Sequence, residues 1–199
     1  MSDFLNIYIF HWVPAKAIWV GGHTLSWDAR CAGIWIGFGI TILFHLLAGR
    51  KAKCLPSRPV LILCSLLFLP LFIDVFTLHY GYRMPVNDIR FLTGLSFGTA
   101  FGVFLYPTFI QLSYLKALAR PALDSPPKLI LLFTFVLGAF FLKSIDHAGI
   151  FFILESFAVW GFLSLVVMIS AGAFIVLKNC FISCIGKTSH VNLKNNKAI

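Results

Sequence analysis

Charged residues in this chain are few, and nearly all of them fall at the ends of long apolar runs. That placement constrains the fold more than any motif. A helix needs about 20 consecutive apolar residues to cross roughly 30 Å of hydrocarbon, and its charges must then collect at the two membrane faces. Five such segments are legible, near residues 31–48, 59–78, 90–115, 129–143 and 150–177. Only 12% of the residues are charged, against about 25% in a typical soluble domain. With 59% hydrophobic residues in 199, no soluble fold of this length has enough interior to hide the apolar surface. The expected fold class is all-α, an integral membrane helical bundle of about five transmembrane helices. The expected division is a single bundle over 1–180, with 1–28 as an outer interfacial segment, and a basic cytoplasmic tail over 181–199.

The net charge of +9 excludes less than it suggests. Nucleic acid is not the expected partner, because the cations sit in short loops between spans. Arg50, Lys51, Lys53 and Arg58 follow the first span. Lys116, Arg120 and Lys128 follow the third, and Lys178, Lys187, Lys194 and Lys197 follow the fifth. On the opposite side Lys16, Arg30, Arg83, Arg90 and Lys143 are balanced by Asp3, Asp28, Asp74, Asp88 and Asp146. The positive-inside rule then predicts an outside N-terminus and a cytoplasmic C-terminus, in a plasma or bacterial inner membrane. The first 22 residues lack the basic-then-apolar order of a signal peptide. Tyr8, Phe10, Trp12, Trp19 and Trp27 suit a headgroup zone.

Within the spans, Gly33 and Gly37 lie four apart on the first, and Gly94, Gly98 and Gly102 on the third. Glycines at that spacing stack on one helix face and admit a second backbone, so spans one and three are expected to pack through these stripes. Short loops predict that sequential helices are antiparallel neighbours. Pro70 and Pro107 are expected to kink their helices. Cys64 reads as a packing residue. Cys54, Cys180 and Cys184 fall on the cytoplasmic side, where disulfides are rare, and the last two are positioned for acylation.

The polar residues that remain gather on the outer face: His11, Asp28, Arg30, Cys31, Asp74, His79, Asn87, Arg90, Asp146, His147 and Glu155. Ionisable groups at membrane depth are costly and either pair or serve function. Asp74, one turn inside span two, and Arg90, at similar depth on span three, are expected to pair. A substrate or headgroup site is the alternative, since a planar guanidinium suits phosphate or carboxylate. Asp74, Arg90, Asn87 and Arg30 are therefore the candidate catalytic residues, in roles left open. Asp28 and Cys31 share a helix face, and with His11 they form a candidate three-ligand set for a divalent metal.

These residues also carry a resemblance. Phe10-His11-Trp12-Val13-Pro14, then Asp28-Ala29-Arg30-Cys31-Ala32-Gly33-Ile34-Trp35-Ile36-Gly37, then Pro70 to Asp74, then Asn87, Arg90, Gly94 and Gly98 follow one another in this chain. The order resembles the small membrane proteins classed as domain of unknown function 2085, over about residues 10–105. That family typically reads Cys-His-x-x-Pro, then Cys-Ala-Arg-Cys-Thr-Gly. The resemblance implies a Cys-His pair and a Cys-x-x-Cys pair on the outer side, a metal site or a redox-active thiol pair. Here Phe10 and Asp28 stand where two of those cysteines would, so only His11 and Cys31 remain. Either Asp28 substitutes as a harder ligand or the site has been lost. The resemblance brings no activity with it.

Three functions compete. The favoured one is a non-enzymatic subunit or scaffold, packed in the lipid bilayer against a larger membrane complex or copies of itself. The second is an outer-leaflet enzyme acting on a lipid or isoprenoid, with Asp74 or Asp28 as base or metal ligand. The third is a transporter of ions or small solutes, for which His45 and Glu155 are the intramembrane ionisable groups.

Overall fold

The computed structural model describes residues 16–48, 52–113, 118–121, 123 and 125–195. Ten elements follow in order: strands β1 (Ala17–Val20) and β2 (His23–Asp28), helix α1 (Ala29–Ala48), strand β3 (Ala52–Cys54), helices α2 (Arg58–Leu66), α3 (Leu69–His79) and α4 (Asn87–Ser113), strand β4 (Leu118–Pro121), and helices α5 (Pro126–Leu142) and α6 (Ala148–Asn195).

A hairpin of β1 and β2 occupies residues 17–28 of the expected outer interfacial segment; residues 1–15 lie outside the described residues. In β2, Leu25 and Trp27 are buried while Ser26 between them is exposed, the two-residue alternation of a half-buried strand. Val20 pairs with His23 across the turn. Gly21 and Gly22 both take positive φ, 59° and 77°, as a two-residue turn matched to strand twist requires. Trp27 is accordingly not a headgroup anchor. It is 6% exposed and packs against Trp35 and Phe162, at ring distances of 5.8 and 5.2 Å.

Among the described residues four helical stretches are long and apolar enough to cross a membrane: Ala29–Ala48, Arg58–His79, Asn87–Ser113 and Ala148–Asn179. The second is interrupted at Leu67 and Phe68, where α2 ends and Pro70 opens α3, so the expected kink is present. Helix α4 is continuous through Pro107. Helix α5, opened by Pro126 and Pro127 after Ser125, is shorter; its 17 residues rise only about 25 Å. Helix α6 does not stop at 177. It runs on to Asn195 beyond the apolar part and through Gly186, with no proline to break it.

The centre of the bundle is α1, clasped by α4 on one side and α6 on the other. A methyl group added at Gly33, Gly37, Gly94 or Gly98 would overlap, respectively, the carbonyl oxygen of Phe91, Leu95, Arg30 or Ile34. Each helix thus aims glycine Cα–H bonds at the other's carbonyls, weak contacts worth about 0.5–1 kcal/mol each. The expected packing of spans one and three is therefore found. A second crossing was not expected: Gly39 and Gly161 meet Phe157 and Trp35 carbonyls between α1 and α6 in the same way. Small residues at such crossings supply the dispersion contact that holds helices together where water cannot drive them.

The registers fix direction. Residue numbers rise together along α1 and α4, from Gly33 beside Phe91 to Thr41 beside Gly102. They also rise together from Ser26 beside Glu155 to Ile42 in one cluster with Met168. Helices α1, α4 and α6 are parallel and begin at the hairpin end. Helix α3 runs against them, with Phe68 on Phe104 and Asp74 on Arg30, and so does α5, with Phe140 on Phe91. The closest crossings are thus between parallel helices remote in sequence, not only between sequential antiparallel neighbours. At the far end β3 and β4 pair as parallel strands, which brings the loops after α1 and α4 together.

Candidate functional site

A cluster of charge closes the hairpin end of the bundle. Asp74, on the last two turns of α3, is 2% exposed. Its partner is not Arg90. The Nη2 of Arg30 donates to Asp74 Oδ2 at 2.5 Å, and Arg83 from the α3–α4 loop pairs with Oδ1. The reason is geometric. Arg30 sits in the first turn of α1 at the level where Asp74 faces inward, and the loop folds back so that Arg83 Nε also donates to Thr77 Oγ1 at 3.2 Å. Sequence distance favoured Arg90; the parallel setting of α1 and α4 places Arg30 at the same level.

Arg90 is buried at 9% exposure, and its Nε has no acceptor among the described residues. The charges acting on it are Arg30 and Arg83, both like, and Asp28, opposite. Asn87, one turn earlier, is used elsewhere: its Nδ2 donates to the Ala17 carbonyl at 3.2 Å and holds β1 to α4.

Asp28 caps α1. Its Oδ1 accepts from the Cys31 amide at 2.8 Å, the bond by which an N-cap carboxylate satisfies an otherwise unpaired helix-start donor. This explains why Asp28 and Cys31 lie together. Their three-residue spacing is that of N-cap to N3. The third ligand of the candidate metal set, His11, lies outside the described residues. Among the described residues no three His, Cys, Asp or Glu side chains converge.

Some of the other polar residues expected at this face also tie or cap elements. Glu155 Oε2 accepts from the Ser26 amide at 3.2 Å and joins α6 to β2. His147 Nδ1 accepts from the Gly149 amide at 3.0 Å and caps α6. Lys143 pairs with Asp88 and lies 4.9 Å from the Phe140 ring centre. Gly21, at the hairpin tip, abuts the backbone of His147 and Ala148 so closely that any side chain there would collide. Arg83 was the one member of the cluster not singled out; the signal was its place four residues beyond the end of α3, in a loop that passes back over Asp74.

His45 and Glu155 do not meet. His45 is in the last turn of α1, fully buried, stacked on Tyr106 at 4.9 Å, with neither ring nitrogen hydrogen-bonded. Glu155 is at the hairpin end. A cavity of about 260 Å³ between α1, α5 and α6 is lined by apolar side chains such as Ile40, Phe44, Phe135 and Phe157, with Thr134 as the polar exception. That hydroxyl donates to the Ile130 carbonyl. The cavity shares no residue with the charged cluster.

Comparison with known proteins agrees with this architecture. The family described as Predicted membrane protein (DUF2085) matches residues 10–104, from before the hairpin to the α1–α4 crossing. An uncharacterised protein of Methanothermobacter thermautotrophicus is 35% identical over 96 residues, which is 48% of this chain and 83% of that protein. An uncharacterised protein of Methanocaldococcus jannaschii is 28% identical over 109 residues, 54% of this chain and 68% of that protein. No solved structure matches. The family match and the relative 35% identical over 83% of its own length make the chain a member of the family of predicted membrane proteins, DUF2085.

Proposed function

We propose that this membrane protein is a non-enzymatic subunit or scaffold, which crosses the membrane five times with its N-terminus outside and its C-terminal basic segment in the cytoplasm. The observation that carries the reading is the engagement of every acidic group expected to do chemistry. A general base must be free within about 3 Å of the proton it takes. Asp74 is gripped by Arg30 and Arg83, Asp28 caps α1 and Glu155 holds β2. These bonds tie α1, α3, α6 and the hairpin into one unit, a structural use of buried charge.

Two further points support the arrangement in the membrane. Helices α1, α4 and α6 share a direction, so the chain must return along α5, and a fifth crossing by this shorter helix follows if the others cross. The loops after α1 and α4 carry the excess of Lys and Arg at one end, in keeping with a cytoplasmic face. The apolar faces of the outer helices suit lipid or a partner. Only 17% of the Arg58–His79 and Ala148–Asn179 spans is buried, against 61% of Asn87–Ser113.

The test is native mass spectrometry of protein solubilised from its own membrane in a mild detergent, alongside the Asp74→Asn variant. A stoichiometric complex or homo-oligomer is expected. A monomer that turns over a lipid substrate, with turnover abolished in a folded Asp74→Asn variant, would instead establish the enzyme.

A further inference from the structure

We propose that Arg30, Arg83 and Arg90 form a binding site for a phosphate oxyanion at the hairpin end of the bundle. The inference goes beyond the subunit reading and does not depend on it.

Three guanidinium groups come here from three separate elements, the first turn of α1, the α3–α4 loop and the first turn of α4. Against them, among the described residues, stand two carboxylates, Asp74 and Asp28. Asp74 is shared between Arg30 and Arg83, and one oxygen of Asp28 is already engaged by the Cys31 amide. Among the described residues one positive charge is left over, and it is buried with Arg90. Bringing like charges together at low dielectric is unfavourable unless an anion lies among them.

The donors point the same way. Arg30 Nε, Arg83 Nη1 and Arg90 Nε are buried and have no hydrogen-bond acceptor among the described residues. A guanidinium is a fixed fork of donors, suited to planar or tetrahedral oxyanions, and unlike lysine it cannot shed its charge to escape burial. Arg90 at 9% exposure would form the floor of the site. The side chains of Arg30 and Arg83, 24% and 25% exposed, leave a way in. A surplus of one positive charge matches the single negative charge of a phosphodiester, or of dihydrogen phosphate. A phospholipid headgroup and free inorganic phosphate both offer this chemistry.

The experiment uses the full chain, purified in a maltoside detergent and stripped of phospholipid. It is titrated with dioleoylphosphatidylglycerol, with dioleoylglycerol of the same acyl chains but no phosphate, and with inorganic phosphate. Native mass spectrometry and phosphorus NMR report what is bound. One phosphatidylglycerol per chain is expected, held roughly ten-fold tighter than dioleoylglycerol. That preference should vanish in Arg90→Gln and weaken in Arg90→Lys, which keeps the charge without the fork. Saturable binding of inorganic phosphate that Arg90→Gln abolishes, with no lipid preference, would support the site and identify a soluble anion as its source. Equal binding of the two lipids by the unaltered protein, together with no phosphate binding, would overturn the proposal without reference to any variant. So would a phosphatidylglycerol preference that survives unchanged in Arg90→Gln.

Discussion

Arg30 Nη2 donates to Asp74 Oδ2 at 2.5 Å, and this bond joins the first turn of α1 to the last turns of α3 across 44 residues of sequence. Arg83 takes the second carboxylate oxygen. One buried carboxylate thus locks two helices and the loop that follows them, while Arg90, one helix away, pairs with no carboxylate among the described residues.

The lock should be felt in stability. Removing one partner of a buried ion pair leaves the other charge uncompensated and costs about 3 kcal/mol or more. Asp74→Ala is expected to lower the thermal midpoint in detergent sharply, more than Arg30→Ala, because it strands two guanidinium groups rather than one carboxylate that Arg83 still holds. Melting curves of the two variants measure this. An Asp74→Ala protein as stable as the parent would remove the structural role.

The glycine crossing makes a contrasting pair. Gly98→Leu must push Ile34 and its carbonyl away and separate α1 from α4, so loss of a monodisperse peak in size exclusion is expected. Gly138→Ala meets nothing within 4 Å and should behave as the parent, or slightly better through its higher helix propensity, about 1 kcal/mol at most.

Capping and metal ligation separate at Asp28. If its duty is to receive the Cys31 amide, Asp28→Asn and Asp28→Ser should retain stability, and Asp28→Ala should lose about 1 kcal/mol. Denaturant titration followed by far-ultraviolet circular dichroism reads the difference. Equal losses for Asn, Ser and Ala would contradict the cap and return weight to a ligand that needs a carboxylate.

Orientation is open to a direct reading. A reporter inserted between residues 49 and 58 is expected to show cytoplasmic activity, and one placed at Gly22, where an added side chain finds open space, external activity. The reverse pattern would invert the proposed topology.

The helices and the glycine stripes were legible because both are local. Hydropathy over about 20 residues sets a span whatever its neighbours do, and Gly33-x-x-x-Gly37 advertises its face through helical spacing alone. The hairpin was written in Val20-Gly21-Gly22-His23 and in the alternation of Leu25, Ser26 and Trp27, but aromatic residues before a span also read as headgroup anchors. The α1–α6 crossing was hidden because neither Gly39 nor Gly161 has another glycine four residues away, the repeat that marks a face.

What the sequence alone determined is that this chain is a bundle of apolar helices with its polar groups gathered at the ends, since burying so many charges elsewhere in lipid is prohibitive. Which of those groups meet was decided only by the tertiary structure. The choice of Arg30 and Arg83 over Arg90 for Asp74 depends on the parallel register of α1 and α4 and on a loop that folds back over α3. Partner choice in an ion pair varies over a few ångströms, a distance fixed by helix packing and absent from any reading of residue order.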